Sequence, residues 1–130
     1  MHARMRDTGG NMDVEMVLKN LQGDKAVHGE NLSGLDFSGQ DLSGADLSGC
    51  DLSGCNFRDA KLTSSDLSDC NLQKSDFRGA DLSLANLYNS DLTGAKLRRA
   101  NLTHANRTMA KITKWAMKGA YITGPTAYTE

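Results

Sequence analysis

Residues 41–55 read DLSGADLSGCDLSGC, one five-residue phrase three times over, with Ala45, Cys50 and Cys55 marking where each phrase ends. Followed in both directions, the period runs from Leu32 to Ile122 in nineteen units without a gap. The unit centres are twelve Leu, Phe37, Phe57, Phe77, Ile112, Ile122, Met117 and one departure, Arg107. Two residues before the centre, fifteen units carry a small side chain: nine Ala, three Cys (50, 55, 70) and three Ser (65, 75, 90). The residue just before the centre is Asp or Asn in fourteen.

An α-helix turns about 100° per residue, so a five-residue period would smear these leucines around the whole cylinder and bury no face. A strand places residues two apart on one side, which suits the small residue and the centre of one unit, but a bend must then reset the pattern. Asp, Asn, Ser and Gly fill the remaining positions, and they are turn formers. Each unit therefore reads as a short extended wall plus a turn. The centres Phe37, Phe57 and Phe77 lie twenty residues apart, which implies four walls per coil. Coils stacked at about 4.8 Å pair each wall with the one above, and the crossover preference makes the winding right-handed. The expected fold is an all-β solenoid, a right-handed quadrilateral parallel β-helix of about five 20-residue coils. Phe37, Phe57, Phe77, Leu97 and Met117 then form one inward column.

Units such as ADLSG (45–49), ADLSL (80–84), ANLYN (85–89) and ANLTH (100–104) resemble those of the pentapeptide-repeat proteins, over about residues 30 to 124. The resemblance implies the same quadrilateral β-helix. It implies less about activity, because most members have none assigned and a fold alone does not settle function. Within that family the quinolone-resistance proteins resemble B-DNA in shape and charge and occupy the DNA site of gyrase. Residues 30–95 here carry eleven acids and four bases, in keeping with such a DNA mimic; residues 96–130 carry seven bases and Glu130, a departure from it.

The segment MDVEMVLKNLQ (12–22) reads as an N-terminal capping helix for the open end of the solenoid. Asp13 suits the cap, Glu15 the first turn, and Val14, Val17, Leu18 and Leu21 make one apolar face. Residues 1–11 are expected to be a disordered or expression-derived leader, 23–124 the β-helix and 125–130 a tail. Toward the C-terminus Arg107 takes a centre, Trp115 a small-residue position and Tyr121 the usual Asp position. Two readings stay open there. Trp115, Ile122 and Tyr128 fold over the end of their own coil, or Trp115, Met117, Tyr121 and Ile122 meet another subunit and give a weak dimer in place of a monomer.

Arg58, Arg78, Arg98 and Lys118 each follow a centre of the phenylalanine column, so they are expected to stack as an outward stripe. Like charges so arranged repel unless anions interleave, for which Asp59 and Asp76 are candidates. The stripe is the candidate contact for an acidic partner surface. The aspartates before the centres (36, 41, 46, 51, 66, 76, 81 and 91) are expected to hydrogen-bond in turns. Cys50, Cys55 and Cys70 lack metal-site or disulfide spacing and read as small packing residues.

The net charge of −1 excludes a uniformly basic nucleic-acid binder. No phosphate-binding glycine loop, nucleophile–base pair or His/Cys cluster is visible, so no enzyme, cofactor or metal is expected. No run of apolar residues has the length of a membrane span, and the start of the chain lacks a signal-peptide core. The expectation is a cytoplasmic, non-enzymatic scaffold for an unknown protein partner, without direct nucleic-acid or membrane binding.

Overall fold

The computed structural model describes residues 12–23 and 26–122. Every parallel bridge in it but none of its helices obeys one rule: residue i pairs with residue i+20, from Ala26↔Asp46 to Asn101↔Tyr121. The pairing follows from the repeat. A centre donates its N–H to the carbonyl of the residue before the next coil's centre, as Leu52 does to Asn71 (2.8 Å), and Asn71 donates back to Cys50 (3.1 Å). One correction of degree applies to the all-β expectation. Among the described residues the walls meet through isolated bridges, not extended strands, because only two or three residues separate successive turns.

The turns explain the period. In most of them the N–H three residues after the centre returns to the centre's carbonyl, as Ala45 does to Leu42 at 3.0 Å, and the residue two after the centre has positive φ. That is the type II pattern, which favours Gly at its third position. Gly44 meets the requirement at φ +74 without strain, whereas Leu84 and Met109 sit at +61 and +64 with full side chains. All fourteen Asp and Asn residues before a centre place Oδ1 on the N–H two residues on; Asp41 accepts from Ser43 at 3.0 Å. Side chain and backbone thus hold the same bend.

Inside the coils the centres from Leu32 to Leu102 are buried, and the phenylalanines stack. Phe37 and Phe57 lie 5.3 Å apart at 10°, Phe57 and Phe77 4.9 Å apart at 3°. These separations match the spacing of coils about 4.8 Å apart. The lattice starts one unit earlier than the sequence suggested: Val27 is a buried centre and Gly29 its positive-φ turn residue.

The small positions show why they are small. Cys50, Cys55 and Cys70 are free thiols that donate to the carbonyls of Val27, Leu32 and Leu47, each 23 residues back, at 2.8 to 3.0 Å. A side chain there is pressed against the coil below. Glu30, Leu35 and Gln40, on the first full coil, have no such coil beneath them among the described residues and are half-buried, so larger residues fit. Ser75 and Ser90 instead donate to Leu72 and Leu87, three residues back, both at 2.7 Å. The Ser65 hydroxyl is buried and has no hydrogen-bond partner.

Helix α1 spans Val14–Gly23. Asp13 caps it, accepting the Met16 N–H at 2.9 Å, the cap residue bonding the third helical amide. Met12 before the cap and Val17 four residues into the helix are both buried, as in a hydrophobic staple. Val17 and Leu21 enter the core, with Val14 and Leu18 partly buried against it. At the other end the bridges pass from Asp91↔Lys111 to Asn101↔Tyr121, with no rung between Lys96 and Ala116 among the described residues. A single helical turn, α2 (Lys114–Met117), takes that wall's place. Its cap, Thr113, accepts the Ala116 N–H at 3.1 Å. This helix was not anticipated; its signals are a Thr three residues before Ala116 and the lack of Asp or Asn at 116 to make the usual turn.

Candidate protein-binding surfaces

The aspartates are occupied by the fold. The backbone N–H and hydroxyl of Ser38 lower the pKa of Asp36, and the Ser83 and Thr93 hydroxyls, ahead of their backbone N–H groups, do the same for Asp81 and Asp91. Their expected turn role is what the structure shows.

The stripe of cations exists as a geometric feature. Gly39 N–H meets Arg58 O, Asp59 N–H meets Arg78 O, and Gly79 N–H meets Arg98 O, so the three arginines occupy successive rungs. Arg99 N–H then meets Gly119 O, which places Lys118 on the rung above. The lower half has a carboxylate of its own. Arg78 grips Asp76 with two parallel bonds, Nε to Oδ1 at 2.9 Å and Nη2 to Oδ2 at 2.7 Å, while Arg58 Nε approaches Oδ2 at 3.9 Å. The Arg78 hydrogen bond is the main reason the Asp76 pKa is lowered. Of the two proposed interleaving acids, Asp76 serves the stripe; Asp59 lies against the Gly79 backbone, with Arg99 near the same glycine.

The upper half differs. Lys96 bridges Asp76 from the coil above, so a cation stands where the unit below has its carboxylate. The Arg98 stem runs beside the turn carrying Lys118: a Cβ built on Gly119 would lie 3.5 Å from Arg98 Cγ. Lys118 Nζ sits 5.1 Å from the Trp115 ring centroid, in cation–π range. Residues 96–122 contain seven Lys or Arg and no Asp or Glu. All seven are exposed except Arg107, which is half-buried, as suits a charge at a centre position.

Among the described residues five large apolar side chains stand out from the frame: Leu84 (59% exposed), Tyr88 (43%), Met109 (65%), Trp115 (79%) and Tyr121 (58%). Trp115 therefore does not fold over the coil end. The α2 turn points it outward and gives Ala116 and Met117 to the core margin. Of the four candidate end-surface residues, Trp115 and Tyr121 are on the surface, while Met117 and Ile122 pack partly against the core. Tyr128 lies outside the described residues. Leu84, Tyr88 and Met109 were missed, although apolar residues at turn positions usually held by Ser, Gly or Asn were a readable signal.

Burial raises the thiols of Cys50 and Cys55 to about 11 and that of Cys70 to about 12, so they are packing groups and not nucleophiles. Among the described residues no cluster of His, Cys, Asp or Glu has the makings of a metal site, and no helix is long and apolar enough to cross a membrane.

The model of the family described as pentapeptide repeats, in eight copies, matches residues 31–69, 65–103 and 80–114. The chain belongs to the pentapeptide-repeat family. Solved structures agree. A pentapeptide repeat protein from the thylakoid lumen of Arabidopsis thaliana is 34% identical, with a TM-score of 0.66 over 68% of this chain and 62% of its own. A second, from Nostoc PCC 7120, is 28% identical, with a TM-score of 0.53 over 85% of this chain and 96% of its own. HetL, a pentapeptide repeat protein involved in heterocyst differentiation regulation in Nostoc sp. strain PCC 7120, is 34% identical, with a TM-score of 0.49 over 85% of this chain and 47% of its own. The chain thus spans less than two thirds of the length of the thylakoid-lumen protein and less than half that of HetL. No curated protein matches the sequence. With these neighbours, the parallel i to i+20 winding is a right-handed β-helix.

Proposed function

We propose that this chain is a non-enzymatic, rigid scaffold that binds another protein through its outward side chains. The observation that carries the reading is the set of five large apolar residues held in water on a frame whose own polar groups are engaged in turns and ladders. Leu84 and Met109 do so at positive φ, where a glycine would be less strained, so neither local conformation nor core packing accounts for them. The rod comprises about five coils, α1 serves as its N-terminal lid, and the chain is a monomer or a weak dimer through its C-terminal end. Its three reduced, buried thiols suit a reducing compartment such as the cytoplasm.

The test is affinity capture with the intact chain, compared with a variant carrying Leu84→Ser, Tyr88→Ser and Met109→Ser. A protein retained by the wild type and lost by the variant supports the scaffold reading. Equal capture by both, or turnover of a substrate by the isolated chain, removes it. Inhibition of gyrase supercoiling would favour the DNA-mimic alternative, against which stand the turn-bound aspartates and the basic C-terminal segment.

A further inference from the structure

We propose that the C-terminal end of the phenylalanine-column wall, formed by Lys96, Arg98, Lys118 and Trp115 and flanked by Arg99 and Lys114, is a docking site for an acidic protein segment. The inference deepens the scaffold reading by naming the chemistry of a partner. Lys96, Arg98 and Lys118 share the wall over its last two rungs, with Arg99 at the turn that follows and Lys114 at the start of α2, and the chain has no Asp or Glu from 96 to 122. Of the acids on the coils below, Asp76 is held in the fork of Arg78 and Asp59 lies by Gly79 with Arg99, which leaves Arg98 and Lys118 without a carboxylate of their own. Rungs about 5 Å apart leave such charges mutually repelling, so an external anion relieves the crowding as well as adding its own attraction.

The molecule itself shows which anion fits. One coil below, the carboxylate of Asp76 fills the fork of Arg78 with bonds of 2.9 and 2.7 Å and draws in Arg58 from the next rung. Arg98 repeats the position of Arg78 in the lattice, but the place of Asp76 is taken by Lys96. A partner's Asp or Glu completes at Arg98 what Asp76 completes at Arg78, the planar fork matching a carboxylate. Trp115, 79% exposed beside Lys118, adds a flat apolar surface for a neighbouring Leu or Phe of the same segment. A nucleic acid fits less well. The unneutralised track ends where Asp76 begins, about two rungs long, whereas tight phosphate binding draws on roughly six to ten contacts.

The experiment uses the full chain and three fluorescein-labelled probes: a peptide of about 12 residues alternating Asp and Glu with Leu and Phe, its Asn/Gln counterpart, and an oligo(dT) of matched charge. Anisotropy gives affinity, and Trp115, the sole tryptophan, reports on the site by its emission. The acidic peptide is expected to bind about tenfold more tightly than the amide peptide and to shift the Trp115 emission. The exposed pair Arg98→Gln/Lys118→Gln should lower that affinity about tenfold with an unchanged melting temperature, while Lys61→Gln/Lys74→Gln, on other walls, should not. Equal affinity for the two peptides, tighter binding of oligo(dT), or indifference to Arg98→Gln/Lys118→Gln overturns the proposal. Capture from lysate that persists in Arg98→Gln/Lys118→Gln while peptide binding is absent overturns it and spares the scaffold reading.

Discussion

Replacing Ser65 by alanine should stabilise this protein, while the same change at Ser75 or Ser90 should destabilise it. All three serines occupy the small position of their unit and are buried. The Ser75 and Ser90 hydroxyls each have an acceptor at 2.7 Å, whereas the Ser65 hydroxyl has none. A buried hydroxyl without a partner costs about 1–3 kcal/mol, and alanine, the commonest residue at this lattice position, removes that cost. At Ser75 the lost bond is worth about 0.5–1.5 kcal/mol. The lower end applies, because the Leu72 carbonyl keeps the Ser75 N–H at 3.2 Å. The two variants should therefore differ by about 2 kcal/mol, or roughly 8 °C or more in Tm. Urea denaturation followed by circular dichroism, with calorimetry as a check, measures both. A Ser65→Ala protein no more stable than wild type, or a Ser75→Ala protein that gains as much, would refute the reasoning. Ser65→Cys offers a second arm: by analogy with the native cysteines its thiol reaches the Leu42 carbonyl, 23 residues back, and should also stabilise.

Leu84→Gly should raise stability by about 0.5–1 kcal/mol, since positive φ costs an L-residue about 1–2 kcal/mol and the freer unfolded glycine returns part of it. Gly34→Ala, at φ +76 with open space around a new Cβ, should shift the urea midpoint the opposite way. The three thiols should be silent toward a thiol reagent at pH 8 and react together on unfolding, because a pKa near 11 leaves about one thiolate in a thousand; rapid labelling of the native chain would contradict their burial. Acid should destabilise the fold. The Asp36, Asp76, Asp81 and Asp91 carboxyls lie below their ordinary 3.8 in the folded state, so their contribution is complete above that value and is lost as pH falls through the folded values. Asp76→Asn should cost about 1 kcal/mol at pH 7 and flatten the acid limb of a Tm-against-pH curve.

Most of the interior was legible because the repeat is translational. Each unit but the one centred on Leu97 pairs through a bridge with the unit twenty residues on, so one period read along the chain is also the contact map. That is why the phenylalanine column, the turn role of the aspartates and the Arg stripe could be placed without coordinates. The α1 boundaries, Val14–Gly23 against 12–22, differ by the usual play at helix ends.

What the sequence determined by itself is thus the lattice: the period, the column each residue joins, and which side chains are pressed between coils. The tertiary structure decided what happens where a neighbour is absent or where several are available. At the C-terminal end, where no rung among the described residues joins Lys96 to Ala116, the wall of Trp115 closes into α2 and turns the indole to water. On the outer surface Arg78 and Arg58 converge on Asp76 while Asp59 turns elsewhere, a choice among near-equal ion pairs that spacing alone does not rank. A packed interior admits one arrangement, and a solvated surface or a free edge admits many, so only the assembled coils select among them.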